Sequence, residues 1–395
     1  MSKKILAINS GSSSIKFKLY LMPEEKLLIS GSAENLGSST SQLSYKTEKT
    51  GETRQLPLKN HSEAIDHIID VLMTSGVVKD KSEIYGVGHR ISHGGSYYTH
   101  AVAVTPEVEK RIDELRVLSP LHNPNGLAGI KAFEKFLPDA KEVVTFDNSF
   151  HHTIPKKAYM YALPYEFYEK YQIRRYGFHA PSHQYVSEKA RELFGKEKTR
   201  RMITCHLGNG SSVSAILDGK SVNSSMGFTP LAGVVMGTRC GDIDPEIIPF
   251  LEEELNIDSH EMRRIMNEDS GLKGLSGISN DEREIESAAK NGNERAQLAL
   301  DVFVHSIQQY IGAYTTDLDG LDTLVFTAGI GEHAAYIRSQ ICKNLDYLGV
   351  KIDEEKNKQN ALSIEAPDSK VKVAVIPTNE EIIIARDVMN VTQQQ

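Results

Sequence analysis

A strand–turn–strand unit occurs twice in this chain, about 200 residues apart, and constrains the fold more than any other feature. In the first copy Ile5-Leu6-Ala7-Ile8 reads as a buried strand and Asn9-Ser10-Gly11-Ser12-Ser13-Ser14 as a turn of small residues. Ile15, Phe17 and Leu19 then alternate with Lys16, Lys18 and Tyr20 as a half-buried return strand. In the second copy Met202-Ile203-Thr204-Cys205 reads as the strand and His206-Leu207-Gly208-Asn209-Gly210-Ser211-Ser212 as the turn, with Val213, Ala215 and Ile216 beginning the return. A third turn, Thr327-Ala328-Gly329-Ile330-Gly331-Glu332, follows the apolar strand Leu324-Val325-Phe326. A repeat at this spacing implies two related half-molecules, each with a hairpin that can present backbone N–H groups. A chain of 395 residues has room for two or three domains, and strands alternating with helices make the class α/β.

Helices are legible between these strands. Asn60 and Glu63 can form a capping box ahead of Ile65, Ile68, Ile69 and Leu72, with Gly76 as the stop. Thr105-Pro106 is an N-cap followed by proline at the first helical position, with Val108, Ile112 and Leu115 inward. Ala299, Val302, Phe303, Ser306, Ile307, Tyr310, Ile311 and Tyr314 keep helical spacing through one long amphipathic stretch. Segments 37–60 and 351–371 are polar and lack a period, so loops are expected there; the terminal Gln393-Gln394-Gln395 is expected to fray.

Charge narrows the partners. Lys and Arg number 45 against 53 Asp and Glu, a formal net charge of −8, which argues against a nucleic-acid or anionic-membrane binder but leaves room for a local cationic pocket. No apolar run approaches the ~18–20 residues of a membrane span, and Ile5–Ile8 is too short for a signal-peptide core. Three cysteines, Cys205, Cys240 and Cys342, form neither an even set nor a C-x-x-C pair; the expected compartment is a reducing cytoplasm.

No intact phosphate motif is present. Gly219-Lys220-Ser221 mimics the tail of a P-loop, but position 214 is Ser. Gly208-Asn209-Gly210 and Gly329-Ile330-Gly331 lack the third glycine of a dinucleotide fingerprint. What remains is small-residue turns at strand ends, which can approach a phosphate closely. His, Arg and Asp also concentrate in short words: His89-Arg90-Ile91-Ser92-His93-Gly94-Gly95, Pro120-Leu121-His122-Asn123-Pro124, Thr145-Phe146-Asp147-Asn148-Ser149-Phe150-His151, Tyr176-Gly177-Phe178-His179-Ala180-Pro181-Ser182-His183 and Gly237-Thr238-Arg239-Cys240-Gly241-Asp242. Flanking Gly and Pro place these words on rigid loops, and two or three of the histidines are expected to face a substrate. His179 and His183 have zinc-pair spacing, but Pro181 lies between them and no H-E-x-x-H is present, so zinc is not expected. No G-x-S-x-G appears, which excludes a serine-hydrolase reading.

These words, in this order, resemble the acetate kinase (acetokinase) family, within the actin-like superfamily of acetate and sugar kinases, Hsp70 ATPase domains and actin. The resemblance runs from about Ile5 to Asp387 and includes Met226-Gly227-Phe228-Thr229-Pro230 and Ile376-Pro377-Thr378-Asn379-Glu380-Glu381. It implies two actin-like, ribonuclease H-like domains with a catalytic cleft between them. The first would span 1–148 and regain a C-terminal helix over 381–395, and the second, nucleotide-binding, would span 149–380. It implies reversible phosphorylation of acetate by ATP to acetyl phosphate and ADP by direct in-line transfer, with Mg²⁺ or Mn²⁺, in a cytoplasmic homodimer that takes neither nucleic acid nor membrane as partner.

Carried over by position, Asn9 and Glu380 would organise the metal and Lys16 would approach the phosphates. Arg90 and Arg239 would hold acetate and the migrating group beside His122 and His179, with Asp147 an acid/base or orienting carboxylate. Ser92, Leu121 and Pro230, with Arg90, would line the acid site. His206, Leu207, Gly208, Asn209, Gly210, Asp281, Glu282, Arg283, Gly329, Ile330, Gly331, Glu332 and His333 would line the ATP site. The chain departs from the family pattern at Ser10 (usually Ala), Ala180-Pro181 (Gly-Thr), Cys240 (Ser), His333 (Asn) and Ser92, which stands where Val usually meets the acetate methyl. The last departure keeps a propionate or butyrate kinase open. An actin-like assembly protein, which has no need of Arg90, His122, His179 and Arg239 together, is the reading from another class.

Overall fold

In the computed structural model, which describes residues 2–11, 13–120 and 122–393, the chain divides into two compact units. One comprises the chain up to Phe150 with the segment from Asn379 onward; the other is His151–Thr378. The first unit holds β1 (Lys3–Ser10), β2 (Ile15–Met22), β3 (Lys26–Glu34), β4 (Gln42–Thr47), β5 (Gly51–Gln55), β6 (Ile84–Ile91), β7 (Val102–Ala103) and β8 (Lys141–Phe146) in one sheet, ordered β5-β4-β3-β2-β1-β6-β8-β7. The second holds β9 (Arg201–Leu207), β10 (Ser211–Leu217), β11 (Lys220–Ser224), β12 (Thr323–Thr327) and β13 (Lys372–Val375), ordered β11-β10-β9-β12-β13.

Without β4, β5 and β7 the two orders coincide. In each, an antiparallel three-strand meander shares its first strand with two further parallel strands. The repeat seen in two hairpins is therefore a repeat of two whole sheets. Central strands are buried on both faces, as parallel pairing requires: Ile5, Leu6, Ala7 and Ile8 in β1 and all of Thr323–Thr327 in β12. The first core packs Leu6, Ile8, Phe17 and Leu19 on Ile65, Ile68, Leu72 and Phe133; the second packs Ile203, Cys205, Val213 and Phe326 on Phe303, Ile307 and Ile311 of the long helix Glu294–Leu318.

The helix starts follow their caps. Asn60 accepts from the Glu63 N–H at 3.0 Å, and Thr105 caps the helix Pro106–Glu114 through the Val108 N–H. The reciprocal arm of the first box goes to the Lys59 N–H, one residue earlier than a capping box predicts. The C-terminal helix Glu380–Gln393 returns to the first unit and lies on β1, β6 and β8. Gly86 and Gly88 permit that approach: a Cβ on Gly88 would lie 2.4 Å from Ile384 and one on Gly86 2.8 Å from Val388.

Four sequence expectations need correction. Residues 37–60 are not all loop; they carry β4 and β5, an edge hairpin in which Leu43 alone is buried, so no apolar alternation marks it. Residues 351–371 include the short helix Glu354–Lys358. His206 and Leu207 belong to β9 rather than to the turn, and the third turn is the short helix Ala328–His333. Gln394, Gln395, Ser12 and Leu121 lie outside the described residues.

Candidate active site

In the first unit the site is built on one row across the sheet. Asn9, next to last in β1, pairs with Lys16 of β2 on one side and Arg90 of β6 on the other. Arg90 and His89 thus stand on a strand, not on the loop their Gly-flanked word suggested; the glycines serve helix packing and the following turn. The Arg90 guanidinium donates to both Asp147 oxygens, at 2.9 and 2.8 Å, and to Asn9 Oδ1 at 3.0 Å. Such a fork fixes orientation as well as charge. Asp147 is 3% exposed, just past β8, where its N–H bonds the Ile91 carbonyl. Burial works against the Arg90 charge, but Asp147 and Glu380 outweigh it and hold the guanidinium firmly protonated.

Glu380 opens the C-terminal helix. Burial first, then Asp147 and Glu381, pushes its carboxyl up, with Arg90 and Lys16 pulling the other way. A carboxylate crowded in this way favours a cation. Among the described residues no three His, Cys, Asp or Glu side chains cluster as a metal cage. Mg²⁺ needs only one or two carboxylates beside waters and substrate phosphates, and the oxygen donors Asn9 and Glu380 fit that mode. Lys16 is exposed, whereas Lys18 is tied to Glu381 and to Asn379, fastening the helix to β2.

Beyond β6 the chain is pinned. Asn123, fully buried, accepts from the His93 N–H and donates to the His93 carbonyl, and Asn148 accepts from the Gly94 N–H. Ser92 is half-buried in this segment and makes no hydrogen bond within the described residues. Of the word around Leu121, Asn123 is thus scaffold, while His122 is exposed at the head of the helix Asn123–Phe136. His89 is scaffold too, buried against Glu142 and Phe133.

The second unit gathers imidazoles and hydroxyls. His179, in the left-handed region at φ 55°, caps the helix Ala180–Phe194 and meets Ser212 Oγ through Nδ1 at 2.8 Å. Ser212 Oγ also meets His183 Nε2 at 2.7 Å, and His183 Nδ1 meets Thr204. Burial, with His151 and His206 nearby, holds His183 far below the usual histidine range, so it is neutral. The His206 ring stacks on His179 at 4.0 Å, and its Nδ1 meets Ser182. Gly210 closes the group: a Cβ there would sit 3.4 Å from both Arg239 Nη1 and His179 Nε2. Arg239 donates to the Pro230 carbonyl at 3.2 Å. His151 is buried between Ser221 and the Phe178 carbonyl.

Beside this group lies a cavity of about 560 Å³, within the usual size of a ligand pocket. Gly208, Asn209, Asp281, Glu282, Arg283, Gly329, Ile330 and His333 line it, with Asn280, Glu286 and Ala334. His206, Leu207, Gly210, Gly331 and Glu332 do not. Leu207 is core, and Glu332 turns inward to accept from the Ala328 and Thr378 N–H groups. That bond holds Ala328 at φ 64°, a conformation most non-glycine residues avoid. Buried Arg338 donates to the Gly331 carbonyl from behind. Sequence reasoning omitted Asn280, Glu286 and Ala334. Glu286 could have been found from helical i+4 spacing to Glu282; Asn280, which donates to Asn209 Oδ1, carried no signal.

A sequence model of the Acetokinase family matches residues 4–386. The acetate kinase of Pseudothermotoga lettingae is 47% identical over 99% of this chain and 98% of its own length. The crystal structure of Porphyromonas gingivalis acetate kinase matches with a TM-score of 0.92 at 42% identity, covering 99% of this chain and 100% of that one. A propionate kinase from Francisella tularensis matches with a TM-score of 0.94 at 38% identity over 98% and 99%.

Proposed function

The chain belongs to the acetokinase family, and we infer from the groups its two units carry that it transfers a phosphoryl group reversibly between ATP and acetate, giving acetyl phosphate and ADP. The observation that carries the reading beyond membership is the Arg90 guanidinium, its orientation fixed by Asp147 and Asn9. Phosphoryl transfer spreads negative charge over three oxygens, so the protein needs chiefly to position reactants and supply charge. An acetate oxygen attacks the γ-phosphorus while the bond to the β–γ bridging oxygen breaks. A carboxylate is already ionised at neutral pH, so no general base is needed. That favours Asp147 as the orienting carboxylate: both its oxygens accept from Arg90.

The roles follow. Arg90 and Arg239 hold the acid and the migrating group, with His122 and His179 as further donors. Lys16 meets phosphate oxygens, and the cavity of the second unit takes the nucleotide. Ser92 borders the acid's alkyl group. Asn9 and Glu380 would hold Mg²⁺, with Mn²⁺ a substitute; a bound Mg²⁺ neutralises charge on the phosphate oxygens.

A homodimer is part of this reading. The helix Ile247–Leu255 buries none of its residues and exposes Ile247, Phe250 and Leu255, and Leu163, Tyr165 and Tyr171 are also exposed. A cytoplasmic location is supported by three free cysteines and by the absence, among the described residues, of any helix long and apolar enough to cross a membrane. Ser92 favours a second reading in which propionate is also accepted, in keeping with the Francisella tularensis neighbour.

The test is ATP-dependent acyl-hydroxamate formation with acetate, propionate, butyrate and no acid. Acetyl hydroxamate is expected; its absence with every acid would sink the enzymatic reading, and ATP-dependent sedimenting filaments would then favour an assembly protein.

A further inference from the structure

One carboxyl in the cavity has no part in the transfer just described. Glu282 opens the helix Glu282–Lys290, is 4% exposed, and lines the cavity with Glu286 one turn later. Two carboxyls one turn apart on one helix, both facing the cavity, repel each other when both are ionised. Glu282 Oε1 has no hydrogen-bond partner, an uncommon state for a buried oxygen and one that calls for a ligand or water. Burial, then the neighbouring Glu286 and Asp281, pushes the Glu282 carboxyl up to about 7, with Lys290 opposing. On the same helix Arg283 is paired with Asp281 and Lys290 with Glu286. The other walls present neutral Asn209 and Asn280, and His333, which is largely exposed.

We propose that Glu282, as the neutral acid, reads the base of the bound nucleotide, donating its O–H to adenine N1 and accepting from the 6-amino group through its other oxygen. The proposal rests on the reading that this cavity takes ATP. A carboxylic acid offers one donor beside one acceptor, which matches the Watson–Crick edge of adenine. An ionised carboxylate offers two acceptors, which match guanine N1–H and its 2-amino group. Glu286, ion-paired with Lys290, stays ionised and keeps its partner while Glu282 turns its proton to the base. Base preference is therefore linked to a proton on Glu282: adenine when it is protonated, guanine as it ionises.

The test measures kcat/KM for ATP and for GTP from about pH 6 to about pH 8.5 in wild type, Glu282→Gln, Glu282→Leu and His333→Asn. Triphosphate and metal titrations are common to both nucleotides and cancel in the ratio. In wild type the ATP-to-GTP ratio is expected to fall at least tenfold across this range, over which the ratio of neutral to ionised Glu282 falls about 300-fold. Glu282→Gln, which keeps a donor and an acceptor but cannot ionise, should hold a flat ratio that favours ATP. Glu282→Leu should be flat with weaker discrimination, and His333→Asn should keep the wild-type slope. A ratio independent of pH in wild type, or a slope that survives in Glu282→Gln, overturns the proposal. A slope lost only in His333→Asn assigns it to His333 instead. Failure of wild type to turn over either nucleotide would overturn the nucleotide reading itself.

Discussion

Across the end of β1 the row of paired residues is Lys16, Asn9 and Arg90; across the equivalent end of β9 it is Ser212, His206 and Thr327. Both rows cross the penultimate residue of the first strand, in sheets of one order. The first is charged and recruits Asp147 and Glu380; the second has an imidazole and two hydroxyls and is linked to His179, His183 and Ser182. The same backbone frame thus serves two chemistries. A charged row holds a guanidinium fork ready for carboxylate or phosphate. A row of hydroxyls and one imidazole leaves room for small-residue turns, whose N–H groups can meet a phosphate without a competing side chain.

The sharpest way to break that comparison is to remove one arginine from each unit. Arg90→Ala and Arg239→Ala should each lower kcat about 10²–10³-fold, the usual cost of losing one donor to a developing charge. Their effects on stability should differ. Arg90→Ala takes the guanidinium away from both oxygens of buried Asp147, a change that costs about 3–5 kcal/mol when a buried pair is broken. Arg239 is half-buried and donates to the Pro230 carbonyl, so Arg239→Ala should cost less in melting than Arg90→Ala. Arg239→Lys should restore activity only in part, since a point charge lacks the fork. Steady-state kinetics with thermal melts would decide. Equal melting losses in the two variants, or near-wild-type kcat in either, would count against the contrast.

Glu380 tests the charged row alone. Glu380→Ala should raise the Mg²⁺ concentration needed for half-maximal rate by roughly tenfold or more while changing the acetate KM little, because a Mg²⁺ site depends on one or two carboxylates. Because the folded protein holds this carboxyl above its ordinary value, its contribution to stability falls as pH rises through that window. The variant should therefore lose less stability than wild type between weakly acidic and neutral pH without metal. Identical Mg²⁺ dependence in both proteins would refute the assignment.

How much of this was legible depended on whether the deciding partner lay nearby in sequence. Central strands and capped helices were legible because alternation and caps are local signals, as at Ile15, Phe17 and Leu19 or at Asn60. The edge strands β4 and β5 were not, because an exposed hairpin buries too little to leave a pattern. Histidine density overstated the chemistry. His89 is paired with Glu142, His151 with Ser221 and His183 with Thr204, partners 53, 70 and 21 residues away that no local word reveals. At the cavity the resemblance supplied Asp281, Glu282 and Arg283, yet Glu332 of the neighbouring word turned inward on Ala328 and Thr378.

The second row, through His183, is tested by acid. His183 has a depressed value in the folded protein, so unfolded chains bind more protons once pH falls below the ordinary histidine range, near 6.5. Wild type should lose stability below that point with a slope of up to about 1.4 kcal/mol per pH unit from this group. His183→Asn should be less stable at neutral pH, having lost the Thr204 and Ser212 bonds, but should show a shallower acid slope. Chemical denaturation from about pH 5 to about pH 8 would show it. An unchanged slope in the variant would place the acid sensitivity elsewhere.

The smallest effect expected is at Ser92, beside the charged row. Ser is smaller than Val by about one carbon, and each CH₂ a pocket can bury contributes ~0.8 kcal/mol. A hydroxyl facing a methyl group opposes this, at about 1–3 kcal/mol if it is buried without a partner. A bond from Ser92 to a neighbouring backbone group, common for Ser in tight loops, would have removed that penalty, but none is formed within the described residues. Ser92 is instead half-buried, so its hydroxyl keeps some access to water and the penalty falls short of its full value. Size then outweighs polarity by a small margin. One methylene discriminates by only about 10–200-fold at best, so broadened acceptance is expected rather than a switch. Propionate should be used within roughly tenfold of acetate in kcat/KM, and Ser92→Val should shift the ratio severalfold towards acetate. If wild type already rejects propionate, or if Ser92→Val leaves the ratio where it was, the residue does not border the acid's alkyl group, and the half-buried hydroxyl belongs to the loop alone.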